Sequence, residues 1–200
     1  MRRYGLMTAV VLGMGLVGPT AWAQFQGREF TATAFLGAVR YDLTDVYFDV
    51  GIDLPPRLIW GLGVGYTVFP RLSLEAVGVY NPDDMDTPTR VGYGFNHIYG
   101  LFGAAFHVTP GRTFVPYLTA GGGLARIVPE TGNSFTKPVF HVGAGFDFFG
   151  SPHWTARVDL RVVSYRYRGQ DLDYRTLGLD PGVRRQTFHL LFLAGMRWKS

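Results

Sequence analysis

The sequence predicts an all-β protein: an eight-stranded antiparallel up-and-down transmembrane β-barrel, preceded by a cleaved signal peptide. Three observations carry this expectation. Eight stretches alternate at period two, one face is free of charge through the central part of every stretch, and the connections alternate between short and long.

The chain begins Met1-Arg2-Arg3, continues through an apolar run from Leu6 to Val17, and places the small residues Ala21 and Ala23 before Gln24. A basic start, an apolar segment too short for a comfortable membrane span, and a small-residue cleavage site form the layout of a secretory signal peptide. Residues 1–23 are therefore assigned to the signal peptide and residues 24–200 to one β-barrel domain. Of 200 residues, 177 then remain, and the loss of Arg2 and Arg3 lowers the formal charge from +4 to +2. So mild a basic balance implies no nucleic-acid partner. The absence of cysteine excludes the disulfide-stapled class of exported proteins.

Eight strands are expected, at Phe30 to Tyr41, Arg57 to Phe69, Leu72 to Tyr80, Gly92 to Val108, Phe114 to Val128, Val139 to Phe149, Trp154 to Arg168 and Gln186 to Trp198. The sixth and seventh are the clearest. Phe140, Val142, Ala144, Phe146 and Phe148 alternate with His141, Gly143, Gly145 and Asp147, and Ala156, Val158, Leu160 and Val162 with Arg157, Asp159 and Arg161. Successive side chains of a strand point to opposite faces, so this hairpin has one apolar face and one polar face. The connections at Pro70-Arg71, 109–113 and 150–153 are tight and each holds a proline, at Pro70, Pro110 and Pro152. The others, 42–56, 81–91, 129–138 and 169–185, are long and polar. Membrane barrels have this asymmetry, with short periplasmic turns and longer extracellular loops.

The even-numbered positions of the eight strands carry no charge between 30 and 38, 58 and 68, 72 and 80, 98 and 108, 114 and 124, 140 and 148, 154 and 164, and 188 and 198. The odd-numbered face holds Glu75, Asp147, Arg157, Asp159, Arg161, Arg197 and four of the five histidines. No helical period supplies a layer to cover the apolar face of a soluble sheet. Phe106, Phe114, Phe148, Trp154 and Trp198 near the tight turns, with Trp60 and Tyr80 near the long loops, fit the aromatic girdles of the two membrane interfaces. A soluble secreted β-sandwich or barrel is the alternative, with these aromatics in its core.

The last strand, Phe192-Leu193-Ala194-Gly195-Met196-Arg197-Trp198, resembles the C-terminal strand signature of bacterial outer-membrane barrels. Val115 to Leu124, Val142 to Asp147 and Arg157-Val158-Asp159-Leu160-Arg161 look like strands of the small OmpA- and OmpX-like barrels. The resemblance covers nearly the whole mature chain. It implies location in the outer membrane of a Gram-negative cell envelope, and contact with the barrel-assembly machinery through Phe192, Ala194, Gly195, Met196 and Trp198. OmpA's peptidoglycan-binding domain is not expected.

Eight strands leave an interior that side chains fill, so a plugged lumen is expected. Glu75, Asp147, Arg157, Asp159 and Arg161 are expected to pair there as an internal ion network, because buried charges need matching partners. His97, His141 and His189 project inward from strands that are not neighbours, and are taken as hydrogen-bonded lumen residues with no metal. Arg40, Arg126 and Arg166 lie on the lipid-facing parity at the long-loop ends, where guanidinium groups would meet lipopolysaccharide phosphates. The acids Asp42, Asp45, Asp49, Asp53, Asp83, Asp84 and Asp86 fit solvated loops and lack the spacing of a calcium loop. A lipid A deacylase or palmitoyltransferase would need a nucleophile and base at the lipid-facing rim. Ser164 has no histidine on that face, which leaves only loop residues such as Asp171 and Asp173. The expectation is a non-enzymatic barrel without cofactor, monomeric in its lipid, with a structural or surface-interaction role through its long loops. A porin-like channel is the main alternative, and would need a wider bore.

Overall fold

The computed structural model describes residues 28–41, 56–82, 95–129, 134–151, 153–168 and 184–200. The signal-peptide stretch, the loop acids and Asp171 and Asp173 lie outside the described residues. Eight strands run in sequence order around a closed antiparallel barrel: β1 (Glu29–Tyr41), β2 (Arg57–Phe69), β3 (Leu72–Asn81), β4 (Phe95–His107), β5 (Phe114–Pro129), β6 (Phe135–Phe149), β7 (Trp154–Arg168) and β8 (Arg184–Lys199). The shortest, β3, has 10 residues, enough for a tilted strand to cross a bilayer.

The ends differ from the sequence expectation at the long-loop side. β6 starts four residues before Val139, while Gly92, the expected start of β4, lies outside the described residues. Phe135 to Pro138 pair with Ile127 to Leu124, so the β5–β6 hairpin runs on into the stretch expected to be a long polar connection. Pro138 lies one residue beyond the last β6–β7 pair, Val139 with Tyr165, and by the alternation of the ladder its N–H position faces β7. The missing donor therefore removes no rung.

Closure has a definite stagger. Stepping from Thr31 through the paired residues Gly65, Glu75, Gly103, Gly121, His141, Val163 and His189 returns to Tyr41, ten residues further along β1. With about 3.3 Å of rise per residue and about 4.8 Å between strands, this stagger corresponds to a tilt of about 41° and a backbone radius of about 8 Å.

The same parity holds around the barrel, with even positions outward and odd positions inward, except past the β2 register shift, where Phe69 is exposed. Phe140 is 75% exposed, Phe30 64%, Val64 63% and Leu58 62%, and similar residues continue over all eight strands. An uncovered apolar band of that extent far exceeds the patches found on soluble monomers, and suits a hydrocarbon surrounding. Phe30 packs against Tyr66, Trp60 edge-on against Tyr80, and Phe114 against Phe146, giving aromatic pairs near both rims. At the β4–β5 turn Gly111 has φ of 88°, a conformation that favours glycine.

Candidate functional site

The one concentration of chemistry among the described residues is the lumen, which is divided by height. Its tight-turn half holds the charges. Glu75 on β3 is the hub: Arg157 on β7, the strand diametrically opposite, donates to it through Nη1 at 2.6 Å and Nη2 at 3.0 Å. Arg161 Nη2 lies 3.3 Å from the same carboxylate and Arg197 Nη2, from β8, 2.7 Å from it. Arg161 also grips Asp159, with Nη2 at 2.6 Å from Oδ2 and Nε at 3.0 Å from Oδ1. Arg197 reaches Asp147 at 3.1 Å, where His107 Nε2 also lies 3.5 Å away. Tyr117 ties the parts together, accepting from Arg157 Nε at 2.6 Å and donating to Asp159 at 2.9 Å, with its ring 4.1 Å from the Arg157 guanidinium carbon. Glu75, Asp147, Arg157, Asp159, Arg161 and Arg197 are all at most 5% exposed. Three carboxylates thus face three guanidinium groups, and bidentate pairing supplies the compensation that burial of charge demands.

Inward glycines make room for these long side chains. A Cβ on Gly145 would meet the Tyr117 phenol and the Val158 carbonyl, and one on Gly143 would lie 2.9 Å from Arg161 Cγ. Gly103 and Gly121 leave space for the His141 ring, with would-be Cβ contacts of 3.0 and 2.7 Å.

The long-loop half of the lumen is mostly apolar, with His97, His189, Asn81 and Thr187 set within it. Phe35, Val39, Ile59, Val77, Val79, Tyr99, Leu101, Ala125, Ile127, Val139, Val163, Tyr165, Leu191 and Leu193 form one buried cluster. This corrects the expectation of a polar inner face: the ion network occupies only the lower half, while inward glycines such as Gly61 and Gly63 continue into the upper. His97 and His189 meet across the bore in this upper half, with ring centroids 5.3 Å apart, and His189 Nδ1 is 2.5 Å from the Tyr99 hydroxyl. His141 has a different partner, the Phe102 carbonyl at 3.3 Å from Nε2. Among the described residues no group of three or more histidine or acidic side chains is arranged to hold a metal ion.

The five charges singled out from the sequence come together in one network, joined by Arg197, Tyr117 and His107. All three stand at odd positions, so parity could have found them; their common height could not be read without the register. Arg40, Arg126 and Arg166 are exposed on the outer face, and Arg126 donates to Ser134 at 3.3 Å. On β8, Phe192, Met196 and Trp198 are exposed outward and Ala194 is half-buried, whereas Gly195 points inward against Phe35 and the Ala34 carbonyl. Lys199 continues the strand past Trp198 and turns inward, with Nζ 3.3 Å from Glu29 and 6.0 Å from the Phe149 ring. Ser164 accepts from Gln186 Nε2 at 2.9 Å on the outer face.

A closed eight-stranded barrel with an apolar exterior and a charged, paired interior defines a transmembrane barrel of the outer-membrane class. The chain belongs to the family of the outer membrane protein beta-barrel domain, whose model matches residues 8–184. Among solved structures it is similar to the N-terminal β-barrel domain of Pseudomonas aeruginosa OprF, at 14% identity and TM-score 0.57, over 88% of this chain and 100% of that one. It is also similar to Neisserial surface protein A, at 14% identity and TM-score 0.59 over 86% and 97% of the two chains. A third is Pseudomonas aeruginosa OprG, at 11% identity and TM-score 0.54 over 89% and 98%. At these identities the likeness is one of fold. No curated protein matches the sequence.

Proposed function

We propose that this protein is a non-conducting, non-enzymatic barrel of the bacterial outer membrane that acts through its outer surface and long loops. The observation that carries the proposal is the filling of the lumen by two successive layers. A backbone radius of about 8 Å leaves a bore that two facing side chains span. Glu75 and Arg157 do so in the lower layer, and the Phe35 to Leu193 cluster fills the upper one. An ion would have to break a charge-balanced network and then cross apolar packing. The test is conductance of the folded protein in planar bilayers, where no stable unitary steps are expected; steady steps would establish the porin-like channel instead.

The same proposal has the chain exported with cleavage after Ala23, recognised by the barrel-assembly machinery through Phe192, Ala194, Gly195, Met196 and Trp198, and resident as a monomer. Lipopolysaccharide phosphates meet Arg40, Arg126 and Arg166 at the outer rim, supported by the exposure of all three. Arg40→Ala with Arg126→Ala is expected to weaken lipopolysaccharide binding to the detergent-solubilised barrel, and unchanged binding would remove this contact.

A further inference from the structure

At the opposite rim, the β4–β5 connection stands out. It is the longest of the three tight turns, and its residues border the outer wall of β5. There Thr109, Arg112, Thr113, Phe114 and Pro116 line an open concavity of about 600 Å³. Its two parts differ chemically. Phe114 and Pro116 occupy even, outward positions of β5, and Phe114 packs against Phe146 of β6, so the wall is apolar and continuous with the lipid-facing band. The lip carries an exposed guanidinium, Arg112, which forms no ion pair or hydrogen bond with another described residue, and two threonine hydroxyls.

The side-chain charge of this rim is one-sided. Arg28, Arg71 and Arg112 are all exposed, while Glu29, the only acidic side chain among the described residues outside the lumen network, is held by Lys199. A cation and hydroxyls above an apolar wall at the membrane boundary match an amphiphile with an anionic head and an acyl chain. Short turns of such barrels face the periplasm, where the adjoining leaflet is phospholipid.

We propose that the β4–β5 turn is a binding site for an anionic phospholipid, whose phosphate is gripped by Arg112 with Thr109 and Thr113 and whose acyl chain lies along Phe114 and Pro116. The other tight turns offer less: Arg71 stands on the two-residue turn Pro70-Arg71, and residues 150–153 present no arginine or lysine.

The test is native mass spectrometry of the folded barrel released from detergent micelles containing phosphatidylglycerol or phosphatidylcholine with the same acyl chains. The wild type is expected to retain phosphatidylglycerol about fivefold more than phosphatidylcholine, the worth of one basic residue at an anionic lipid surface. Arg112→Gln is expected to abolish the preference and Arg71→Gln to keep it, with unchanged heat-modifiable gel migration verifying that both variants fold. Equal retention of the two lipids by the wild type, or a preference that survives Arg112→Gln, would overturn the proposal.

Discussion

Replacing Glu75 with glutamine probes the lumen most sharply, because the shape of the side chain is kept while its charge is lost. Glu75 accepts four hydrogen bonds from Arg157, Arg161 and Arg197 and is 5% exposed. In the variant two carboxylates, Asp147 and Asp159, face three guanidinium groups in a site without bulk water. Removing one member of a buried ion pair costs about 3–5 kcal/mol because the remaining charge is left uncompensated. Three arginines share this partner, so the upper part of that range is expected. Urea unfolding in lipid vesicles, followed by tryptophan fluorescence and by heat-modifiable migration, measures the loss. Adding Arg197→Met restores a two-to-two balance, and a favourable coupling of about 1–3 kcal/mol is expected between the two changes. A single-variant cost below about 1 kcal/mol, or strictly additive effects, would refute the view that charge balance holds the lower lumen together.

Other variants separate packing from charge. Gly145→Ala, whose methyl would meet the Tyr117 phenol and the Val158 carbonyl, is expected to cost about 1–3 kcal/mol in the same urea assay. Gly78→Ala on the outer face, where the nearest atom to the new methyl is 3.9 Å away, should stay within about 0.5 kcal/mol of wild type. Leu191→Ala removes a fully buried member of the upper cluster and is expected to cost about 2–5 kcal/mol, measured by the shift of the urea midpoint. Phe192→Arg, one residue away but facing outward near mid-strand, is expected to cost about 2–4 kcal/mol in a bilayer, again by urea titration.

How much of this was legible in the sequence depended on how each feature is encoded. The membrane-spanning part of the outer face was legible, because lipid excludes charge from its even positions and the exclusion repeats on eight strands, with Arg40, Arg126 and Arg166 appearing only at the long-loop ends. The network charges were conspicuous at odd positions such as Glu75 and Asp159, where an apolar residue would otherwise be unremarkable. The upper apolar layer was hidden. Leu190 to Ala194 is an unbroken apolar run, so period two cannot tell inward Leu191 and Leu193 from outward Leu190 and Phe192. Height was hidden as well. His97 and His189 meet, while His141 bonds elsewhere, because of the ten-residue stagger of the closed sheet, and no single strand carries that information. Tyr117 and His107 joined the network for the same reason.

The chain has no cysteine, so single cysteines can be placed at each position from Leu190 to Trp198 and spin-labelled in lipid vesicles. Accessibility to oxygen and to a water-soluble nickel chelate then reports on both faces of β8. Labels at even positions are expected to be reached by oxygen from the lipid, and labels at the odd positions Leu191, Leu193 and Gly195 by neither reagent. Odd positions reached by the nickel chelate would contradict a filled lumen, and even positions shielded from both would contradict the membrane barrel itself.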